Sequence, residues 1–153
     1  MKVDPQHLND IKDAALDIAV PMIAEFEGCS LKAYKDAVGV VTIGYGHTKG
    51  VHMGDLWSQQ EADSMLRQEV NEFMDHVMRY IHVPINEHEL AALTSFAYNL
   101  GLGALKRSTL LRKLNHHDEA GAAAEFKKWT HAGGKVLRGL VRRRAEEAKE
   151  FMA

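Results

Sequence analysis

The sequence predicts an α+β fold that is mainly helical, with a small β-hairpin lobe and a larger helical lobe joined by a long helix. Three observations lead there. Apolar residues recur at helical spacing through most of the 153 residues. Residues 31–53 alone change to β-branched residues, aromatics and glycines, the pattern of a small sheet of two or three strands. After them, Ser58-Gln59-Gln60-Glu61 is a capping box. It opens an apolar stripe, Ala62, Met65, Leu66, Val70, Phe73, Val77 and Tyr80, that runs for about five turns and is long enough to bridge two lobes.

Taken in order, Leu8, Ile11, Ala15, Ile18, Met22, Ile23 and Phe26 keep helical spacing across Pro21. Proline lacks the N–H that a continuous helix would use, which predicts two short helices or one kinked there. Residues 1–20 read as an N-terminal helical extension, and Gly28 is the expected stop for the helix that follows. The β lobe takes in about residues 27–57, with turns near 37–39 and at Lys49-Gly50, and the long helix runs on until Pro84. Asn86 with Glu89 starts the next helix, which carries Leu90, Leu93, Phe96, Ala97 and Leu100 to a stop at Gly101. Ser108, Asp118 and the Gly133-Gly134 break mark three more short helices within a helical lobe of about 82–153. Length and a 46% apolar content suit a single domain over 1–153.

Composition narrows the function classes. The most apolar run, 14–24, contains Asp17 and Pro21 and follows acidic residues rather than a basic flank. That argues against a membrane span or a cleavable signal peptide, so the expectation is a soluble cytoplasmic chain with no stable membrane insertion. One cysteine, Cys29, cannot form an internal disulfide. It suits a reducing compartment and reads as a small buried thiol. The net charge of −2 hides a split, because residues 1–102 hold seven Lys/Arg against fifteen Asp/Glu and residues 103–153 hold twelve against six. The basic end favours an anionic partner. Nucleic acid is not expected, since no binding motif and no basic–aromatic interleaving is present. The nine histidines show no ligand spacing, so neither a metal nor any other cofactor is expected.

Chemistry concentrates between Glu27 and His47. Glu27 stands just before the glycine stop, where the negative end of a helix dipole favours the protonated carboxyl. Asp36 precedes a hairpin turn and Thr42 follows it. Two carboxylates held rigidly near one another are what cleavage of a glycosidic bond requires: a protonated acid at the leaving oxygen, and a second group that handles water or the oxocarbenium ion. Each residue also has an ordinary explanation. Glutamate is usually solvated, aspartate commonly caps turns, and threonine is a common strand residue.

The segment E-G-x-x-L-x-x-Y-x-D-x-x-G-x-x-T-I-G-Y-G-H, with nine positions from Glu27 to Asp36 and six more to Thr42, resembles the signature of the phage-type lysozymes (endolysins, glycoside hydrolase family 24). Residues 96–101, 108–115, Trp129, and 139–144 with Glu147 extend the resemblance over about residues 21–153. It implies a lysozyme-like fold and hydrolysis of the β-1,4 bond between N-acetylmuramic acid and N-acetylglucosamine in bacterial peptidoglycan, with inversion. In that scheme Glu27 is the acid, Asp36 the base or electrostatic stabiliser, and Thr42 holds the water. The resemblance also implies substrate-binding roles for Thr48, Tyr98, Asn99 and Ser108, although Ser108 is equally well explained as a helix cap. His47 is expected as a structural histidine paired to Glu69, and Arg143, between Arg142 and Arg144, as the arginine that approaches Glu27. The expected setting is a monomer held in the host cytoplasm until a separate membrane-permeabilising protein, a holin, releases it to the periplasm and wall.

Overall fold

The computed structural model describes residues 5–153. Residues 1–4, the start of the expected N-terminal extension, lie outside the described residues. Helix α1 (Pro5–Glu27) passes through Pro21 without a break. One missing hydrogen bond is outweighed here by burial on both sides of the proline, since Ala15, Leu16, Ala19 and Ile23 all enter the core. Residues 11–20 are therefore packed on the core, whereas 5–10 remain exposed.

Gly28, at φ 69°, ends α1 by donating its N–H to the Ala24 carbonyl at 3.1 Å. Strands β1 (Ser30–Lys35) and β2 (Val41–Gly44) then form an antiparallel hairpin, with Tyr34 opposite Thr42 and an irregularity between Ser30 and Tyr34. Between the two turns expected near 37–39 and at Lys49-Gly50, the strand is cut short, and Tyr45 and His47 lie in a tight turn. Gly44, at φ 66°, ends β2, and Ile43 and His47 exchange two backbone hydrogen bonds of 2.9 Å. A Cβ on Gly44 would stand 2.8 Å from Trp57 Cζ3, so the space its missing side chain leaves belongs to an indole ring rather than to a ligand.

Helix α2 (Gln59–Arg79) has both halves of the Ser58/Glu61 capping box and buries Ala62, Leu66, Val70, Met74 and Val77. It ends at Arg79, ahead of Pro84. Helix α3 (Glu87–Leu100), opened by the Asn86/Glu89 box and closed at Gly101, is the centre of the molecule: every residue from Glu89 to Ala97 is buried. Helices α1, α2 and α7 pack on it. Around it stand α4 (Leu102–Arg107), α5 (Thr109–Asn115), α6 (Glu119–Glu125) and α7 (Arg138–Phe151). A turn of 3-10 helix at Phe126–Lys128 and a minimal hairpin, β3 (His131–Ala132) with β4 (Lys135–Val136), precede α7. Gly133 and Gly134, at φ 58° and 77°, form the hairpin turn where the sequence suggested only a gap between helices. Phe96 meets Phe126 and Trp129 edge-on at 5.6 and 5.3 Å between ring centroids, closing the core under α7. Among the described residues no helix is long and apolar enough to cross a membrane.

Candidate active site

The end of α1 projects Glu27 into a groove shared with Phe26, Asn99, Leu140, Arg142 and Arg143. The carboxyl group is partly buried, and Arg143 Nη1 donates to its Oε1 at 2.9 Å. Of the three consecutive arginines, the middle one thus reaches Glu27. Arg142 stays exposed and pairs with Glu25 at 2.7 Å, while Arg144 turns inward across the Phe96 ring.

Asp36 is held by its own turn. Its Oδ1 accepts the N–H groups of Val38 and Val40, each at 2.9 Å, while the backbone closes the turn through Gly39 and Val40. Its Oδ2 has no partner in the protein among the described residues. Thr42 is only 4% exposed, and its hydroxyl donates to the Val40 carbonyl at 3.0 Å. Asp36 and Thr42 are therefore anchored to the two ends of the same residue, Val40. The hydroxyl's hydrogen is committed there, which leaves its oxygen able to act only as an acceptor towards a water. No direct hydrogen bond links Glu27 to Asp36 or Thr42.

In the loop after β2, His47 Nδ1 faces Glu69 Oε1 on α2 at 2.7 Å and Nε2 faces the Lys49 carbonyl at 2.8 Å. Both ring nitrogens are occupied and the ring lies 5.3 Å from Trp57, an arrangement that fixes the loop after β2 to the long helix. Tyr45 donates to Asp63 at 2.8 Å, and that hydrogen bond, with burial, pushes the phenol up to about 12. Tyr98 is half-buried against Phe73. Burial, reinforced by the negative charges of Glu69 and Glu27, drives its phenol well above the ordinary value. Asn99 is exposed at the groove, where its Oδ1 accepts from Arg144 Nη2 at 2.8 Å. Thr48 lies on an open surface with Lys49, Gly50, Gln68 and Glu72.

Two expectations need correction. Ser108 is the N-cap of α5 and is 5% exposed. Its hydroxyl accepts from Leu111 N–H at 3.0 Å and donates to the Leu105 carbonyl at 2.7 Å, so it serves the cap from a buried position. Cys29 is exposed rather than buried, because it lies in the link between α1 and β1, with the Gln59 amide 3.9 Å from its sulfur.

A polar cluster that sequence reasoning missed lies beneath Glu27. Glu147 Oε2 accepts the Ser95 hydroxyl at 2.6 Å, Arg143 Nε at 3.3 Å and Arg144 Nη2 at 3.3 Å. Burial pushes the Glu147 carboxyl up, against the opposing pull of Arg144, Ser95 and Arg143, and burial likewise lowers the Arg144 guanidinium. The available signal was the spacing of three and four residues from Arg144 and Arg143 to Glu147, together with a serine in the middle of the apolar α3.

The amino-acid sequence and the fold both have matches among known proteins. A profile of the phage lysozyme family matches residues 24–147. The chain belongs to the phage lysozyme family. It is 46% identical over 136 residues to an endolysin of Bacillus phage B103, covering 87% of this chain and 52% of that protein, so it spans about half the length of that relative. An endolysin of Acyrthosiphon pisum secondary endosymbiont phage 1 is 40% identical over 134 residues, 85% of this chain and 92% of that one. Among solved structures, the muramidase domain of SpmX from Asticaccaulis excentricus superposes with a TM-score of 0.82 at 33% identity, covering 89% of this chain and 95% of that domain. The chain therefore has the lysozyme-like α+β fold that the sequence suggested.

Proposed function

We propose that this chain is an endolysin, a muramidase that hydrolyses the β-1,4 bond between N-acetylmuramic acid and N-acetylglucosamine in bacterial peptidoglycan and so lyses the phage host. The observation that carries the reading is the division of labour around the α1–β1 link. Glu27 is oriented by a buried guanidinium and opens onto a groove, while Asp36 keeps one carboxylate oxygen uncommitted and Thr42 offers only an acceptor. The names of its relatives, endolysins and a muramidase domain, support the same reaction.

In this scheme Glu27 gives its proton to the glycosidic oxygen as the bond from that oxygen to the anomeric carbon breaks. A water lies between Thr42 and Asp36, donating one hydrogen to each. Asp36 takes the second proton as the water oxygen bonds to the anomeric carbon from the opposite face, which inverts it. Solvent then carries the proton from Asp36 back to Glu27. Tyr98, Asn99 and Thr48 line the path of the glycan. His47 with Glu69 and Arg143 hold the frame, and no metal or cofactor takes part. The enzyme works as a monomer, waits in the host cytoplasm and reaches the wall once a separate holin opens the membrane.

A lytic transglycosylase would cut the same bond using the sugar's own C6 hydroxyl and would leave Asp36 and Thr42 without a task. Digesting purified peptidoglycan and weighing the products separates the two, because hydrolysis leaves reducing ends and the alternative leaves 1,6-anhydro ends. Glu27→Gln should lose at least about a hundredfold in turnover while keeping its fold. Retention of a tenth of wild-type turnover would remove Glu27 as the acid.

A further inference from the structure

The Arg143 guanidinium has three nitrogens, and each has a different job. Nη1 reaches out to Glu27 at 2.9 Å, while the other two reach inward: Nε to Glu147 Oε2 at 3.3 Å, and Nη2 to the Ser95 carbonyl at 3.1 Å and its hydroxyl at 3.4 Å. A guanidinium is a planar, rigid fork, so fixing two nitrogens fixes the direction of the third. Ser95 sits on α3 and Glu147 one turn beyond Arg143 on α7, both fully buried. The Ser95 hydroxyl in turn holds Glu147 Oε2 at 2.6 Å.

Burying a carboxylate is costly even when it is paired, and apolar residues of similar size often stabilise such a site as well or better. A cluster that served packing alone would not direct a donor across 116 positions of sequence to a groove carboxyl. We infer that Glu147, together with Ser95, is a positioning residue for the wall-cleaving reaction: it acts through Arg143 to hold the Glu27 carboxyl against the scissile bond. This rests on the reading of Glu27 as the acid.

The test is steady-state kinetics on soluble, peptide-free glycan strands, with circular dichroism and thermal melts on each variant. Glu147→Gln keeps the shape but weakens the hold on Arg143. Because small misplacements of a reacting group cost orders of magnitude, kcat should fall about ten- to a hundredfold while KM stays within about twofold. Ser95→Ala, which leaves every charge in place, should lower kcat in the same direction, about threefold or more. It carries the test if Glu147→Gln does not fold. Arg143→Ala removes the intermediary, so adding Glu147→Gln to it should cost less than about a further twofold, the non-additivity expected of residues acting as one unit. Three results would overturn the inference: wild-type kcat in a folded Glu147→Gln or Ser95→Ala protein, a loss confined to KM, or losses that multiply in the double variant. Glu27→Gln, measured alongside, separates the two claims. If that variant is active, the assignment of the acid fails; if it is inactive while Glu147→Gln is fully active, only the positioning role fails.

Discussion

Asp36 offers the sharpest separation of chemistry from architecture, because its two carboxylate oxygens have different tasks. Oδ1 accepts two backbone N–H groups at 2.9 Å and shapes the turn, whereas Oδ2 is uncommitted. Asp36→Asn keeps an oxygen where Oδ1 stood and replaces Oδ2 with an amide. The turn then loses only the charge assistance of two partly exposed hydrogen bonds, about 1 kcal/mol, or roughly 2–4 °C in Tm for a domain of this size. Asp36→Ala loses both acceptors and should cost about 2–3 kcal/mol, roughly 4–12 °C. Activity should not follow that order. Removing the base costs at least about a hundredfold in turnover, close to 2.7 kcal/mol of barrier, in both variants alike. Release of soluble fragments from purified peptidoglycan, normalised to folded protein and compared with thermal melts, reads the two effects separately. If Asp36→Asn keeps more than about a tenth of wild-type turnover, or if activity in the two variants simply follows their Tm, then Asp36 is a turn-former and the proposed base must be sought elsewhere.

Three further outcomes follow from the same geometry. NMR of the first product from soluble glycan should show the α-anomer; early β-anomer would make Asp36 a nucleophile rather than a base. The hydrogen bond that His88 Nδ1–H donates to Glu150 Oε1, at 2.8 Å, holds the imidazole above its ordinary value, so its contribution to stability is complete below about pH 6.5 and fades as pH rises through the raised folded value. The Tm gap between wild type and Glu150→Gln should therefore be largest near pH 5.5 and close by about pH 9, and a gap that widens with pH would contradict this. Lys113 and Lys128 are already paired with the buried Glu125, so wall-directed charge should reside in exposed residues such as Arg107 and Lys127. Reversing both should slow cleavage of whole peptidoglycan mainly below about 0.1 M salt and leave a short uncharged chito-oligosaccharide unaffected; equal loss on both substrates at every salt concentration would place these residues in the cleft or the core.

What the sequence made legible was what a single stretch of chain determines. Two capping boxes opened α2 and α3 where their side chains required, and the change from helical to β periodicity located the first hairpin. Signals shorter than one period were lost. Strands β3 and β4 have two residues each, too few to show alternation, and their diglycine turn reads equally well as a helix break. Helix α4 has six residues and no side-chain cap. Pro21 left two readings open, and the choice of a single helix rests on burial that comes from contact with α3, which lies about seventy positions away.

The candidate site divides along the same line. Glu27, Asp36 and Thr42 fall within sixteen residues, so their pattern is local and carries the family signature. The groups that hold them in place are not local. Val40 ties Asp36 to Thr42 through its backbone, which no side-chain pattern encodes, and Glu27 is aimed by an arginine whose own anchors sit on α3 and α7. The sequence did carry traces of this support, in a serine among apolar residues on α3 and a glutamate one turn after two arginines on α7. Each trace has a common solvent-facing explanation when read alone. Only when α7 packs on α3 do they become a single buried network, and the charges within it are affordable because Arg143 and Arg144 stand opposite Glu147 and Glu27. The reacting groups can thus be read from one short segment, whereas the precision with which they are held depends on the whole helical lobe.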